Sequence, residues 1–311
     1  MANTRELRRR IKSVKNTAQI TKAMQMVAAT KMKRAQSQAL NGRPYSFNLG
    51  YALERLLPLV ATVSHPLLRG NESKNLGVLL LTTDKSLCGA LNTNLFRLIT
   101  SSDLLSSSTN FYTVGKKGRN FIARTGGNLL ADFENLDTVT FRQAVQLSKL
   151  IVDSFLAGEI GQAFILYPHF GSTLRQEPAK VKLLPIDLES VIASTSTSLS
   201  VNSAKQSGSE REIATVRQGG PRNDNVGEFL FEPDPDKLLD YILVHHLQMK
   251  IYQSLLETKA SEHSARMIAM QNATDSALEL VDDLNLTYNQ IRQDSITKEL
   301  LEITTAQVAM E

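Results

Sequence analysis

After Pro235 the sequence contains no further proline or glycine up to Glu311, and that run constrains the fold more than any other feature. Nothing in it breaks an α-helix, and Pro235 suits a first helical turn, where its missing N–H would have had no partner anyway. Asp234, Asp236 and Asp240 put negative charge at the positive end of the helix dipole. About 75 residues of helix would span roughly 110 Å, far beyond an ordinary globular helix. Ile242, Met249, Leu256, His263, Met270, Ala277, Leu284 and Ile291 recur at intervals of seven, and Leu280, Leu300 and Ile303 broaden the stripe. An exposed helix of this length with an apolar seam requires a partner helix.

Only the start of the chain is long enough to supply that partner. Between Thr4 and about Leu57, Gly42 and Pro44 are the sole interruptions among good helix formers. Leu7, Ile11, Val14 and Ala18 follow coiled-coil spacing, and the stripe then slips through Ile20, Met24, Val27, Ala28, Met32 and Ala35 as a stuttered heptad does. Arg43 and Pro44 are expected to mark a bend or local distortion. Charge supports the pairing: residues 1–43 carry eleven basic side chains against Glu6, whereas residues 233–311 carry thirteen acidic and six basic ones. The net charge of +4 conceals this asymmetry.

The middle of the chain changes period. Leu76 to Thr83 is an apolar run with the character of a buried strand, and Phe111 to Val114 and Gln162 to Tyr167 are two more. Between them, Leu91 to Leu105, Lys116 to Arg124 and Phe141 to Leu156 read as helices. Alternating strands and helices predict a mostly parallel sheet. Residues 190–226 are rich in Ser, Thr and Gly and poor in large apolar groups, which predicts a flexible surface insertion. The reading therefore divides the chain into an N-terminal helix (1–60), an α/β domain (75–189), the insertion (190–226) and a C-terminal helix (233–311), the two helices forming one shaft.

Several chemistries find no support in the residues. The lone cysteine, Cys88, cannot form an internal disulfide, and no activating partner for it is evident, so it reads as a packed small residue in a reducing compartment. His245, His246 and His263 lack metal-ligand spacing. The Thr82–Asn92 string TTDKSLCGALN follows a strand and opens a helix, as phosphate loops do, yet it lacks both GxGxxG and GxxxxGK[ST], and GKKG at 115–118 is too short for either. Binding of a nucleic acid by the basic N-terminal helix is also disfavoured, because no binding module or interleaved aromatic residues accompany it. No apolar run approaches the roughly 18 residues of a spanning helix. The basic first forty residues lack the Ser enrichment of a transit peptide and the apolar core of a secretory signal, and read as mature protein.

Four strings carry a family resemblance: IKSVKNTAQITKAMQMVAATKMKRAQ near the start, TTDKSLCGALN, the junction FEPDP, and ASEHSARMIAMQNATDSALELVDDLNLTYNQIRQDSITKELLEI near the end. In this order, over nearly the whole chain, they closely resemble the gamma subunits of rotary F-type ATP synthases. The resemblance implies that the terminal helices form a long antiparallel coiled coil emerging from a small Rossmann-like α/β domain. It implies partners rather than chemistry: alpha and beta subunits forming a catalytic ring round the shaft, with an epsilon subunit and a membrane ring of c subunits at the base. No cofactor, metal, nucleic acid or direct small-molecule substrate is implied, and catalysis belongs to the beta subunits. The implied location is peripheral, on the cytoplasmic face of a bacterial inner membrane or in a plastid thylakoid.

Residue by residue, Lys22, Ala23, Met24 and Gln25 match the shaft segment that faces an acidic lever loop of beta. Arg292 and Gln293 match polar residues near a catch loop, and Thr304 and Thr305 belong to the shaft tip. Asp84, Leu87, Cys88, Gly89 and Asn92 match a structural motif. Lys85, Ser86 and Ala90 stand where the family commonly has Arg, Gly and Gly. The last turns, ITTAQVAM, replace a small-residue tail and are expected to make the tip bulkier and more polar. Photosynthetic relatives carry a regulatory thiol pair near the insertion; this insertion has no cysteine, which excludes a dithiol switch there.

Overall fold

A computed structural model describes residues 4–56, 65–106, 108–186, 235–308 and 310. The whole insertion expected over 190–226, and all but the last residue of FEPDP, lie outside the described residues.

Two long helices dominate: α1, Thr4–Leu56, and α5, Pro235–Val308, of 53 and 74 residues. Side-chain pairs fix their relative direction. Arg8 donates to the Tyr288 hydroxyl at 2.7 Å, the hydroxyls of Thr21 and Thr274 lie 2.7 Å apart, and Tyr45 Oη lies 2.7 Å from His245 Nε2. As positions rise along α1 their partners fall along α5, so the helices are antiparallel. Ala18, Ala28, Ala35 and Ala39 are all buried on α1, facing a seam on α5 that buries Met249, Leu256, His263 and Met270. Small residues on one helix let the other's larger ones approach closely, which is how an irregular seam still packs. The remaining heptad positions, Ile242, Ala277, Leu284 and Ile291, are half-buried. Pro44 lies inside α1 and does not end it.

The central domain carries a five-stranded sheet in the order β3-β2-β1-β4-β5. Strands β1 (Leu76–Leu81), β2 (Thr109–Val114), β3 (Asn128–Phe133) and β4 (Gln162–Phe170) are parallel, and β5 (Gln176–Leu184) is antiparallel to β4. Central β1 is buried on both faces, as a strand between crossover helices must be. One face carries α2 (Leu91–Ser101) and α3 (Lys116–Thr125), whose Ile99 and Ile122 pack on Val78, Leu80, Phe111 and Leu166. The other carries α4 (Phe141–Leu156) and the shaft, with Leu147 and Ile151 joined by Leu243, Leu247, Ile251 and Leu255 of α5 on Leu79, Leu81, Ile165 and Leu183. Each such side chain contributes about 1.5–3 kcal/mol by leaving water, so the root of α5 is a layer of this domain and not an appendage to it.

Two strands escaped the sequence reading. β3 (NLLADF) alternates exposed and half-buried residues, and β5 (QEPAKVKLL) carries Pro178, Lys180 and Lys182. Both are edge strands, whose polar and proline content suppresses the apolar signal.

Candidate functional site

Topology creates a crevice and the shaft crosses it. In an open sheet of this order the chain leaves β1 towards one face and returns through β4 from the other, so the carboxyl ends of β1 and β4 flank the place where doubly wound domains hold ligands. Here α5 crosses that place. Ser261 Oγ donates to the Pro168 carbonyl at 2.9 Å, and Ser264 Oγ donates to the Thr173 carbonyl at 2.6 Å while accepting from Gln176 Nε2 at 3.2 Å. His169 Nδ1 and Glu257 Oε2 lie 2.8 Å apart. α5 thus runs across the crevice, bonded to the end of β4 and to the turn that follows it.

The same stretch of α5 buries a charge network. Glu262 accepts from Arg266 Nη2 at 2.9 Å and from Lys259 Nζ at 3.4 Å, and the three side chains are only 5%, 11% and 6% exposed. Both cations also reach the base: Lys259 Nζ donates to the Asn135 carbonyl and Arg266 Nη2 to the Ser86 carbonyl, each at 3.4 Å. Asn135 in turn donates to the Thr82 carbonyl at 2.7 Å. Thus the turns after β1 and β3 are fastened to the shaft by charge-assisted bonds shielded from water, which are stronger than neutral ones. Next to them His263 is held neutral, its pKa pulled down to about 4, chiefly because burial disfavours the imidazolium. Deeper along α5, burial likewise pulls His246 down to about 4, with Lys250 adding to the effect. Asp137 is shifted below the usual carboxylate range, first by Lys31 at 3.6 Å and then by Lys85.

The TTDKSLCGALN turn is a self-bonded joint. Asp84 Oδ1 accepts from the backbone N–H of Lys116 at 2.8 Å, setting a carboxylate on the start of α3. Asn92 accepts from the Thr83 N–H at 3.3 Å and donates to Thr83 Oγ1 at 2.8 Å and to Cys88 Sγ at 3.4 Å. Cys88 is a buried free thiol. Leu87 and Gly89 adopt positive φ, 66° and 58°, whereas Ala90 is at −84°. Ser86 has no positive φ either. The two departures from family glycines therefore fall where the backbone asks nothing of glycine.

The residues expected to face a partner divide into two groups. Lys22 is exposed and Met24 and Gln25 are half-buried, close to the Thr21–Thr274 contact. Arg292, Gln293, Thr304 and Thr305 lie beyond it along α5, the nearest of them about 27 Å away at 1.5 Å per residue, so the structure does not bring the two groups together. The described part of α1 begins one turn before Arg8, which places its first residue opposite about residue 292. From there through Gln307 every side chain is exposed. The tip is less polar than its composition suggests, because Thr304 Oγ1 donates to the Leu301 carbonyl at 3.0 Å and Thr305 Oγ1 to the same carbonyl at 2.8 Å. Around them Leu300, Leu301 and Ile303 stay 58–63% exposed.

Sequence reasoning missed the Lys259–Glu262–Arg266 network. The signal was present, three charges spaced three and four apart beside the heptad position His263, but charges on a helix are usually solvated and only the sheet behind them reveals burial. Among the described residues, no group of His, Cys, Asp and Glu could hold a metal ion.

A family model described as ATP synthase matches residues 3–310. The chain is 42% identical to the ATP synthase gamma chain of Methylacidiphilum infernorum, 41% to that of Opitutus terrae and 40% to that of Akkermansia muciniphila, with 99–100% of each chain covered. Its fold is similar to a chain in the cryo-EM structure of the Euglena gracilis mitochondrial ATP synthase OSCP/F1/c-ring in rotational state 3 (TM-score 0.67, 22% identity, covering 99% of this chain and 94% of that one). It is also similar to a chain in the central stalk and c-ring of the Tetrahymena thermophila mitochondrial enzyme (TM-score 0.57, 24% identity, covering 82% and 99%).

Proposed function

We propose, from the premise that this chain belongs to the ATP synthase gamma-chain family, that it is the shaft through which a proton-driven membrane ring turns and thereby drives ATP synthesis at sites on beta subunits. As a gamma chain it is a non-catalytic subunit of the ATP synthase complex. The observation that carries the proposal is the end of α5: a single helix with an exposed apolar stripe, running on past its partner, is a surface built to be enclosed.

In this reading residues 1–60 and 233–311 form the shaft and residues 75–189 the base. Alpha and beta subunits enclose the shaft, beta meeting Lys22, Met24, Gln25, Arg292, Gln293, Thr304 and Thr305. An epsilon subunit and the c ring hold the base, with Asp84, Leu87, Cys88, Gly89 and Asn92 stiffening the joint between base and shaft. The chain works peripherally, on the cytoplasmic face of the inner membrane in a bacterium like its close relatives; among the described residues no helix is long and apolar enough to cross a membrane.

Rotation requires a shaft whose contacts differ from one side to the other, because it shifts a beta subunit between conformations only by interacting unequally with them. A lone helix offset from a two-helix stem supplies that asymmetry. Exposed polar contacts such as those of Lys22 and Arg292 are worth about 0–1 kcal/mol each, weak enough to be made and released every turn. Torque must then pass to the base without slippage, and the buried network round Glu262 supports that.

The test is co-expression with alpha and beta chains, followed by ATP-driven proton pumping in membrane vesicles. The chain is expected to co-purify with them, and Met24→Lys, which adds a cation facing an acidic partner, is expected to lower pumping per ATP hydrolysed while assembly persists. Failure to co-purify, or unchanged pumping per ATP in the variant, would refute the proposed role or its shaft contacts respectively.

A further inference from the structure

The two-helix stem is thinly held at its outer end. From the Thr21–Thr274 contact to the Arg8–Tyr288 contact is about 20 Å along α1 at 1.5 Å per residue. Over that stretch the described seam buries only Ala18 on α1 and Val281 on α5, and no further hydrogen bond joins described side chains across it. Local charge works against α1 here as well. Arg5, Arg8, Arg9 and Arg10 stand in its first two turns with Glu6 as the one carboxylate among them, and cations at a helix N-terminus oppose the dipole. Arg5 and Arg9, like Arg8 and Lys12, are like charges four apart, which weakens a helix further. Held by nothing else, these turns would fray.

Arg8 supplies a hold. Its Nη2 donates to the Tyr288 hydroxyl at 2.7 Å, and its guanidinium carbon lies 5.6 Å from the centre of the same ring, within cation–π range. One side chain thus takes both the polar end and the π face of one tyrosine. Leu7, beside Arg8 in sequence, is only 8% exposed, so the clasp stands at the edge of a buried position. Tyr288 and Arg292 are four apart on α5 and share a face of it. From Arg292 through Gln307 every side chain is exposed.

We propose that Arg8 and Tyr288 are a positioning pair: by holding the first turns of α1 on α5 they fix the place where the shaft narrows from two helices to one, and with it the setting of Arg292 one turn on. The inference rests on the shaft role proposed above and adds to it the residues that hold this narrowing in place. A beta subunit responds to the shaft only through unequal contacts with its own conformations. A narrowing that wandered along α5 as α1 frayed would blur that inequality, whereas a clasped one presents the same profile at every turn.

The test has two arms. In the first, hydrogen exchange on the full-length chain, read by mass spectrometry, follows the amides of residues 8–14. Arg8→Ala removes both contacts and should speed their exchange at least about tenfold, the combined effect of a net hydrogen bond and an exposed cation–π contact. Tyr288→Phe keeps the ring and should speed it about fivefold. Arg9→Ala removes the same charge at the neighbouring exposed position and should change it by less than about twofold. Arg8→Lys keeps a cation and a donor and should stay within about threefold of wild type. In the second arm, in the complex with alpha and beta chains, Arg8→Ala and Tyr288→Phe should lower the protons pumped per ATP hydrolysed in the order of their exchange effects, and Arg8→Lys should restore the ratio. Equal exchange in Arg8→Ala and Arg9→Ala would overturn the clasp. Faster exchange with unchanged pumping per ATP would leave a structural contact and overturn the positioning role. A wild-type complex that does not pump would defeat the shaft role and the positioning role with it, an outcome the exchange arm keeps distinct from failure of the clasp.

Discussion

Replacing Glu262 with glutamine removes one negative charge and almost no volume from the root of the shaft. In the native chain that carboxylate lies between Lys259 at 3.4 Å and Arg266 at 2.9 Å, and all three side chains are nearly inaccessible to water. The variant leaves two buried cations with neutral partners only, among them the amide oxygen, His263 Nδ1 and the carbonyls of Asn135 and Ser86. Breaking a buried ion pair from one side costs about 3–5 kcal/mol. The surviving carbonyl contacts place this case near the lower end, about 3 kcal/mol. With an m-value of about 2–3 kcal/mol per M, the urea midpoint of the full chain should fall by about 1–1.5 M. The assay is urea unfolding followed by far-ultraviolet circular dichroism. Adding Lys259→Met to Glu262→Gln removes one stranded cation and should recover at least half of the loss, since an apolar replacement of one partner relieves the desolvation penalty. A midpoint within about 0.3 M of wild type, below the resolution of such extrapolations, would mean that water reaches the network and that it is an ordinary surface cluster.

Three further outcomes follow from other contacts. Ser261→Ala should cost about 1–3 kcal/mol in the same assay, because it leaves the Pro168 carbonyl buried without its donor; a loss below about 0.5 kcal/mol would show that the carbonyl finds water. His263 and His246 have folded-state pKa values of about 4, below the ordinary 6.5, so the unfolded chain binds more protons between those values. Stability should therefore be fully present above pH 6.5 and fall as the pH drops towards 4, and His263→Asn should make that fall shallower; an identical slope in the variant would refute the cause assigned. Thr305→Ala, at an exposed position whose hydroxyl serves only the backbone, should change stability by less than about 0.5 kcal/mol, and a larger loss would show the tip to be structural.

The sequence revealed the long elements best because their signals accumulate. A proline- and glycine-free run and a seven-residue repeat over α5 admit few alternatives, and opposite charge excess at the two ends named the partner. Strands β1, β2 and β4 were legible as apolar runs because they are buried on both faces. β3 and β5 were not, since edge strands are selected for polar and proline residues that resemble loops. For the candidate site, Lys22, Met24 and Arg292 were named through a resemblance and not through physics: an exposed cation on a helix looks the same whether or not a partner faces it. Glu262 shows the opposite failure. Its importance comes from the sheet behind it, and that sheet is assembled from segments more than seventy-five residues away in sequence.

The placement of α5 over the carboxyl ends of β1 and β4 gives the crevice of this sheet a structural use. The crevice of a doubly wound sheet offers unpaired backbone groups and a concave floor, and any helix that crosses it gains polar partners as well as apolar burial. Ser261, Ser264, Lys259 and Arg266 take those polar partners, while Leu247, Ile251 and Leu255 take the apolar face one turn after another. The two sets lie on consecutive stretches of one continuous helix. Twisting the shaft about its axis would therefore have to break buried polar bonds and shear close-packed side chains together, and interiors packed at crystal density resist small displacements of either kind. Past Asn272 the described residues beside α5 are those of α1, and from residue 292 through Gln307 every side chain is exposed. Rigidity concentrated at the root and exposure concentrated at the tip are what a part needs if it is gripped at one end and swept past partners at the other.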